Sequence, residues 1–120
     1  MSALALEQLQ SPPLAAGDEA IDLDHLSRMT LGERSLEREV LALFDRQAQI
    51  LLQRMTAPAV AAAAAHTLKG SAVGIGAWRV ARAAEAVEHA GAARFVAAVG
   101  ALGVAIEEAR AAIAALLRTH

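Results

Sequence analysis

The chain has 120 residues, enough for one domain. Hydrophobic residues make up 56% of it, much of that alanine, and aromatic residues only 2%, a balance that favours close-packed helices over a β-sandwich. A formal charge of −2, with no basic cluster interleaved with aromatic residues, argues against a nucleic-acid partner, and the absence of cysteine excludes a disulfide framework or a thiolate metal site.

Residues 1–17 are expected to form a flexible tail, because Pro12 and Pro13 interrupt any continuous helix there. The tail does not read as a signal peptide: it lacks a basic start, and Glu7 breaks its short apolar stretch. No apolar run reaches the roughly 18 residues that a membrane span requires, so a cytoplasmic protein without membrane attachment is expected. Residues 18–120 then form the domain.

A short helix is predicted over 18–29, with Ile21, His25 and Met29 on one face, followed by a turn at Thr30–Gly32. A long helix follows over 35–55, where Leu36, Val40, Leu43, Phe44, Leu51 and Met55 recur on one side. Ser35 is its expected N-cap, and Glu37 and Glu39 suit the positive end of its dipole. Pro58 starts the next helix, since proline is tolerated in a first turn. That helix should weaken at Gly74–Gly76. Another is predicted over 78–90, with Val80, Ala84 and Val87 inward and Gly91 as a stop. The last, over 93–117, carries Phe95, Val99, Leu102, Ile106, Ala109, Ile113 and Leu116 at alternating spacings of four and three. Four long amphipathic helices with short links predict an all-α fold, an antiparallel four-helix bundle with a short additional N-terminal helix. The regular last helix also fits a coiled-coil seam, but the short turns favour folding back within one chain, hence a monomer.

His66 lies on the third of these elements. Its larger apolar residues, Val60, Leu68 and Ile75, fall with Ala64 and Ser71 on one stripe, the expected core side. With Ala64 at the middle of that stripe, His66 lies roughly 200° around the helix, Val73 about 180°, Lys69 about 140° and Gly70 about 240°. Ala59, Ala62 and Ala63 share this outer half. The result is a smooth patch of small residues with one cation one turn from an outward histidine, a surface that another protein can approach closely. Such a histidine, taken alone, is more often a solvated surface residue than a nucleophile.

The run from His66 to Ala77 (His-Thr-Leu-Lys-Gly-Ser-Ala-Val-Gly-Ile-Gly-Ala) resembles the phosphoacceptor signature of histidine-containing phosphotransfer (HPt) domains, in which His, Leu, Lys, Gly, Ser, a later Gly and a small residue recur at these offsets. Leu43-Phe44 on the preceding helix, and Val87-Glu88 with Ala90-Gly91 on the following one, fit the same pattern, so the resemblance covers about residues 20–115. It implies a protein that relays a phosphoryl group between receiver-domain aspartates of a two-component phosphorelay. His66 would be the phosphoacceptor, Lys69 would offset the charge of the phosphoryl oxygens, and Gly70 would leave room for the partner. Leu68 and Ser71 would be structural. The family places a polar side chain on the next helix to orient the ring; Glu88 matches that region best here, with Glu85 one turn earlier. Ala62, Ala63, Val73 and Arg79 are the candidate partner contacts, Arg79 and Arg82 also reading as solvated charge.

The implied partners are response-regulator receiver domains and a hybrid sensor kinase. No cofactor of the chain's own is expected, since the glycines here lack the strand and the Gly-Lys-Ser/Thr ending of a P-loop, and the metal ion would sit on the receiver. A zinc site from His66, His89 and a glutamate would lack the paired histidines at i and i+4. His25, His89 and His120 read as ordinary surface or tail residues. Two rival functions remain: a non-catalytic docking module that uses the same smooth face, and the dimerisation domain of a sensor kinase. The latter usually carries an acidic residue directly after the histidine, where this chain has Thr67.

Overall fold

The computed structural model describes residues 19–119. Its elements are α1 (Leu23–Met29), α2 (Arg34–Gln53), α3 (Pro58–Ile75), α4 (Trp78–Glu88), a 3-10 turn (Ala92–Arg94) and α5 (Phe95–Thr119). The described residues are all-helical, without strands. The predicted tail over 1–17 lies outside them.

α1 begins later than its pattern implied. The Asp22 carboxylate accepts the backbone N–H of His25 at 3.1 Å and so caps the helix at Leu23. The turn after α1 is tight: Leu31 and Gly32 both take positive φ, 55° and 76°. Thr30 beneath it is buried, its hydroxyl 2.8 Å from the carbonyl of Leu26 and 3.1 Å from Oε2 of Glu37. Glu37 stands in the first turn of α2, as its place at the positive end of the dipole implies, and is also a buried tether between the α1 turn and α2. α2 starts at Arg34 with Glu33 at the cap, so Ser35 is already inside the helix and does not cap it. Its other end is at Gln53, short of the expected Met55, which is nonetheless buried.

α3 differs most from its expected orientation. The buried side consists of Ala61, Ala64, Ala65, Leu68, Ala72 and Ile75. Val60 is 55% exposed and Ser71 is also exposed, so both leave the core side assigned to them. The true stripe is rotated by roughly 50°. The reason is size: bulk marks the core in most helices, but here Ala61, Ala65 and Ala72 are fully buried and fill the contact themselves, which lets neighbouring backbones come close. Leu43 on α2 is likewise half-exposed, while Phe44 beside it is buried.

Gly76 ends α3 at φ 76°, and the N–H groups of Gly76 and Ala77 reach back to the carbonyls of Val73 and Ala72 at 3.2 and 2.9 Å, a Schellman turn. Its carbonyl accepts the N–H of Asp22 at 2.9 Å, which joins the start of α1 to the α3–α4 corner. α4 stops at Glu88, two residues before the expected end, with His89 as its cap. Around the core, α2 packs on α3, α3 on α4, α4 on α5 and α5 on α2, and α1 rests on α3. The heptad face of α5 points inward, with Leu102, Ile106, Ala109 and Ile113 all buried, so it is core. Arg110 ties α5 to Asp45 of α2 at 2.9 Å, and Arg38 donates to the carbonyl of Leu117 at 2.8 Å near the end of α5.

Two consequences are measurable. A Cβ at Gly76 would lie 2.8 Å from the Asp22 carbonyl oxygen, on a backbone that disfavours L side chains. Gly76→Ala should therefore lower unfolding free energy by about 2 kcal/mol or more in urea titrations. The Asp22 carboxyl is held below the usual carboxylate range, first by the Trp78 indole N–H at 2.9 Å and then by the His25 N–H. A depressed carboxyl stabilises the fold above its unfolded pKa, and that contribution is lost as pH falls through the folded value. Asp22→Asn should flatten the acid limb of stability below about pH 4.

Candidate functional site

The core stripe of α3 leaves position 66 on the outer side, and the His66 side chain is 71% exposed. Facing it from the last turn of α4 is Glu88, whose Oε2 lies 2.8 Å from Nδ1 of His66. An ionised carboxylate only accepts, so this bond assigns the hydrogen to Nδ1 and leaves the lone pair of the neutral ring on Nε2. Glu88 itself is only 21% exposed, and its Oε1 is buried without a hydrogen-bond partner among the described residues. Its position is also unfavourable for a negative charge, because the carbonyl end of a helix dipole is negative. The imidazole N–H offsets part of both costs.

One turn along α3, Nζ of Lys69 lies 3.8 Å from Oε2 of Glu85. The two contacts form rungs between helices running in opposite senses, His66 to Glu88 and Lys69 to Glu85. The rotation of the buried stripe explains why Lys69 reaches α4: it moves to the flank of α3 and is half-buried there. The second rung is long and partly solvated, so it holds Lys69 weakly.

Gly70 is exposed, and a Cβ built there meets no atom within 4 Å. The chain's own packing thus does not require a glycine, although a helical glycine costs about 1 kcal/mol relative to alanine. Ala63 and Val73 are exposed and Ala62 is half-buried, so these expected contacts do share the surface around His66. Arg79 does not join them. It lies on the side of α4 turned towards α5, bound to Glu108 at 2.7 Å. Arg82 instead lines, with Lys69, Val73, Trp78 and Glu85, an open groove of about 420 Å³ that continues along the α3–α4 seam.

The far end of that groove holds a cluster that sequence reading missed. His25 is not an ordinary surface residue: its Nε2 donates to the carbonyl of Val73 at 2.8 Å, and its ring packs against Trp78 with centroids 4.7 Å apart. Asp22 accepts from the Trp78 indole and from the His25 backbone. Two signals pointed to it: an aspartate three residues before His25, the spacing of a cap, and a lone tryptophan whose N–H needs an acceptor when packed. His89 is exposed at the end of α4, and His120 lies outside the described residues. Among the described residues, no group of three or more His, Cys, Asp or Glu is placed to hold a metal ion, and no helix is long and apolar enough to cross a membrane.

No family model, no curated protein and no solved structure matches the chain.

The tautomer is open to direct measurement. Nitrogen-15 spectra of the neutral His66 ring should show the hydrogen on Nδ1. Glu88→Gln, which keeps an accepting oxygen, should preserve that pattern, and Glu88→Ala should convert it to a mixture of tautomers; an Nε2–H ring in the unaltered protein would contradict the geometry.

Proposed function

We propose that the chain is a histidine phosphotransfer protein of the HPt kind, a covalent carrier in a two-component phosphorelay without an ATP site of its own. The observation that carries this reading is the His66 ring, 71% exposed and bonded to Glu88 through Nδ1 at 2.8 Å, which leaves Nε2 as the nitrogen to react. In this reading the Nε2 lone pair attacks the phosphorus of an aspartyl phosphate on a docked receiver domain. The N–P bond forms, the aspartyl O–P bond breaks and the aspartate departs as a carboxylate. The ring becomes cationic during attack, and its Nδ1 proton remains on the bond to Glu88, whose charge stabilises that cation. Lys69 lies one turn from the nucleophile and supplies a positive charge to the phosphoryl oxygens. Gly70 and the alanines admit the partner close to the helix backbone.

The four long helices are read as the antiparallel bundle of such carriers. The closed circuit of contacts from α2 through α5, with α1 outside it, supports this. Receiver domains and a hybrid sensor kinase are the proposed partners, the receiver carrying the metal ion, and the protein acts as a cytoplasmic monomer.

A second reading has its own observation. An apolar groove of about 360 Å³, lined among others by Met29, Leu43, Phe44, Ser71 and Gly74, runs beside α3. A docking module that binds a signalling partner there would need no phosphorylation of His66.

Incubation with phosphorylated receiver domains carrying labelled phosphate separates the two. The carrier reading expects acid-labile, alkali-stable label on the protein and none on His66→Gln with helicity unchanged. Lys69→Ala should slow transfer by roughly tenfold, the worth of one charge-assisted contact. A folded protein that accepts no label while still binding a receiver supports the docking module.

A further inference from the structure

We infer that Glu85 is a positioning residue that acts through Lys69, holding the lysine away from His66 until a phosphoryl group arrives and thereby keeping the loaded carrier ready to pass its group on. The inference rests on the carrier reading of His66. It starts from the two rungs of the α3–α4 seam. The His66–Glu88 contact is short, at 2.8 Å, while Lys69 and Glu85 stand 3.8 Å apart. The Glu85 side chain is 53% exposed and that of Lys69 33% exposed. Such a pair is weak enough to exchange, and both side chains retain the freedom to move.

Loading His66 changes what Lys69 faces. A phosphoryl group brings a charge of about −1.5 to −2 and three acceptor oxygens to the nitrogen opposite Glu88. Lys69, three residues along the same helix face, is within reach of it, as side chains at i and i+3 are neighbours. The lysine cannot serve Glu85 and the phosphoryl oxygens equally. Glu85, one turn from Glu88, also repels the new dianion directly. Both effects raise the free energy of the loaded state relative to the empty one. The empty state gains the pair, and the loaded state must give it up. A carrier benefits from this, because a group held too firmly is not handed on.

The proposal separates from simple repulsion by its dependence on Lys69. His66 is to be phosphorylated directly with potassium phosphoramidate, a small donor that an exposed ring can meet without a protein partner. The phosphorus-31 signal of the His66 phosphoryl group is then followed through its second ionisation. Glu85→Gln should move the midpoint down, since the freed lysine favours the dianion. Lys69→Met should move it up. In the Lys69→Met background, Glu85→Gln should have less than half its original effect. With a receiver domain present, Glu85→Gln should shift the phosphotransfer equilibrium towards His66 by about twofold to fivefold. An unchanged midpoint, or an equal shift with and without Lys69, overturns the inference. The carrier reading fails separately, when the unaltered protein takes no label from any receiver although phosphoramidate loads His66.

Discussion

The corner at Gly76 and Ala77 sets where every residue of α3 meets α4. Two residues reverse the chain, the Schellman bonds fix their geometry, and the Asp22 backbone closes over the carbonyl of Gly76 at 2.9 Å. Once that corner is rigid, the register of the two helices follows for as long as they stay in contact. They stay in contact along a seam where many of the buried residues are small, Ala61, Ala65 and Ala72 on α3 and Ala81 and Ala84 on α4. Alanine buries little apolar area, so each such residue contributes less than a leucine would. In exchange, the helices approach closely enough for a glutamate at the end of α4 to reach a histidine in the middle of α3.

That reach gives the site its electrostatic character. Glu88 is poorly placed for its own stability, being in a last helical turn with one oxygen buried and unpartnered among the described residues. Its hydrogen bond among the described residues is the one to the imidazole. Lys69 and Glu85, by contrast, are loosely paired. A firm contact behind the ring and a soft contact beside it are what a carrier reading requires, since the ring must keep its orientation while the charge around it rearranges. The same firm contact is compatible with a docking surface, because an oriented imidazole is also a good hydrogen-bonding group.

Much of this was legible in the sequence, unevenly. The outward direction of His66 survived a 50° error in the core stripe because the residue lies far from either choice of centre. Lys69 did not tolerate the error: at about 140° from the expected centre it belongs to the solvent, and in the fold it reaches α4. Glu88 was found through the family resemblance and not through periodicity, since no rule of spacing within a helix connects residues on two helices. Arg79 was misassigned for the same reason. Its partner Glu108 is on α5, at a distance along the chain that no local pattern spans. The helix existence, order and turns were accessible because glycine, proline and capping aspartate act locally.

The missed His25–Trp78–Asp22 cluster alters how the exposed face is understood. Val73 presents its side chain to the surface that carries His66, while its backbone carbonyl accepts from His25 of α1. α1 is thereby fastened to the last turn of α3, through the second lone pair of a carbonyl that the Schellman turn already uses. This matters because α3 ends in Gly74, Ile75 and Gly76, a sequence with low intrinsic helix propensity. Left alone, that end would fray and the register at the corner would loosen. α1 is therefore more than an appendage to the other four helices: it adds a second hydrogen bond to the carbonyl of Val73, which already accepts from Gly76, and closes over the Gly76 corner from which the α3–α4 register runs.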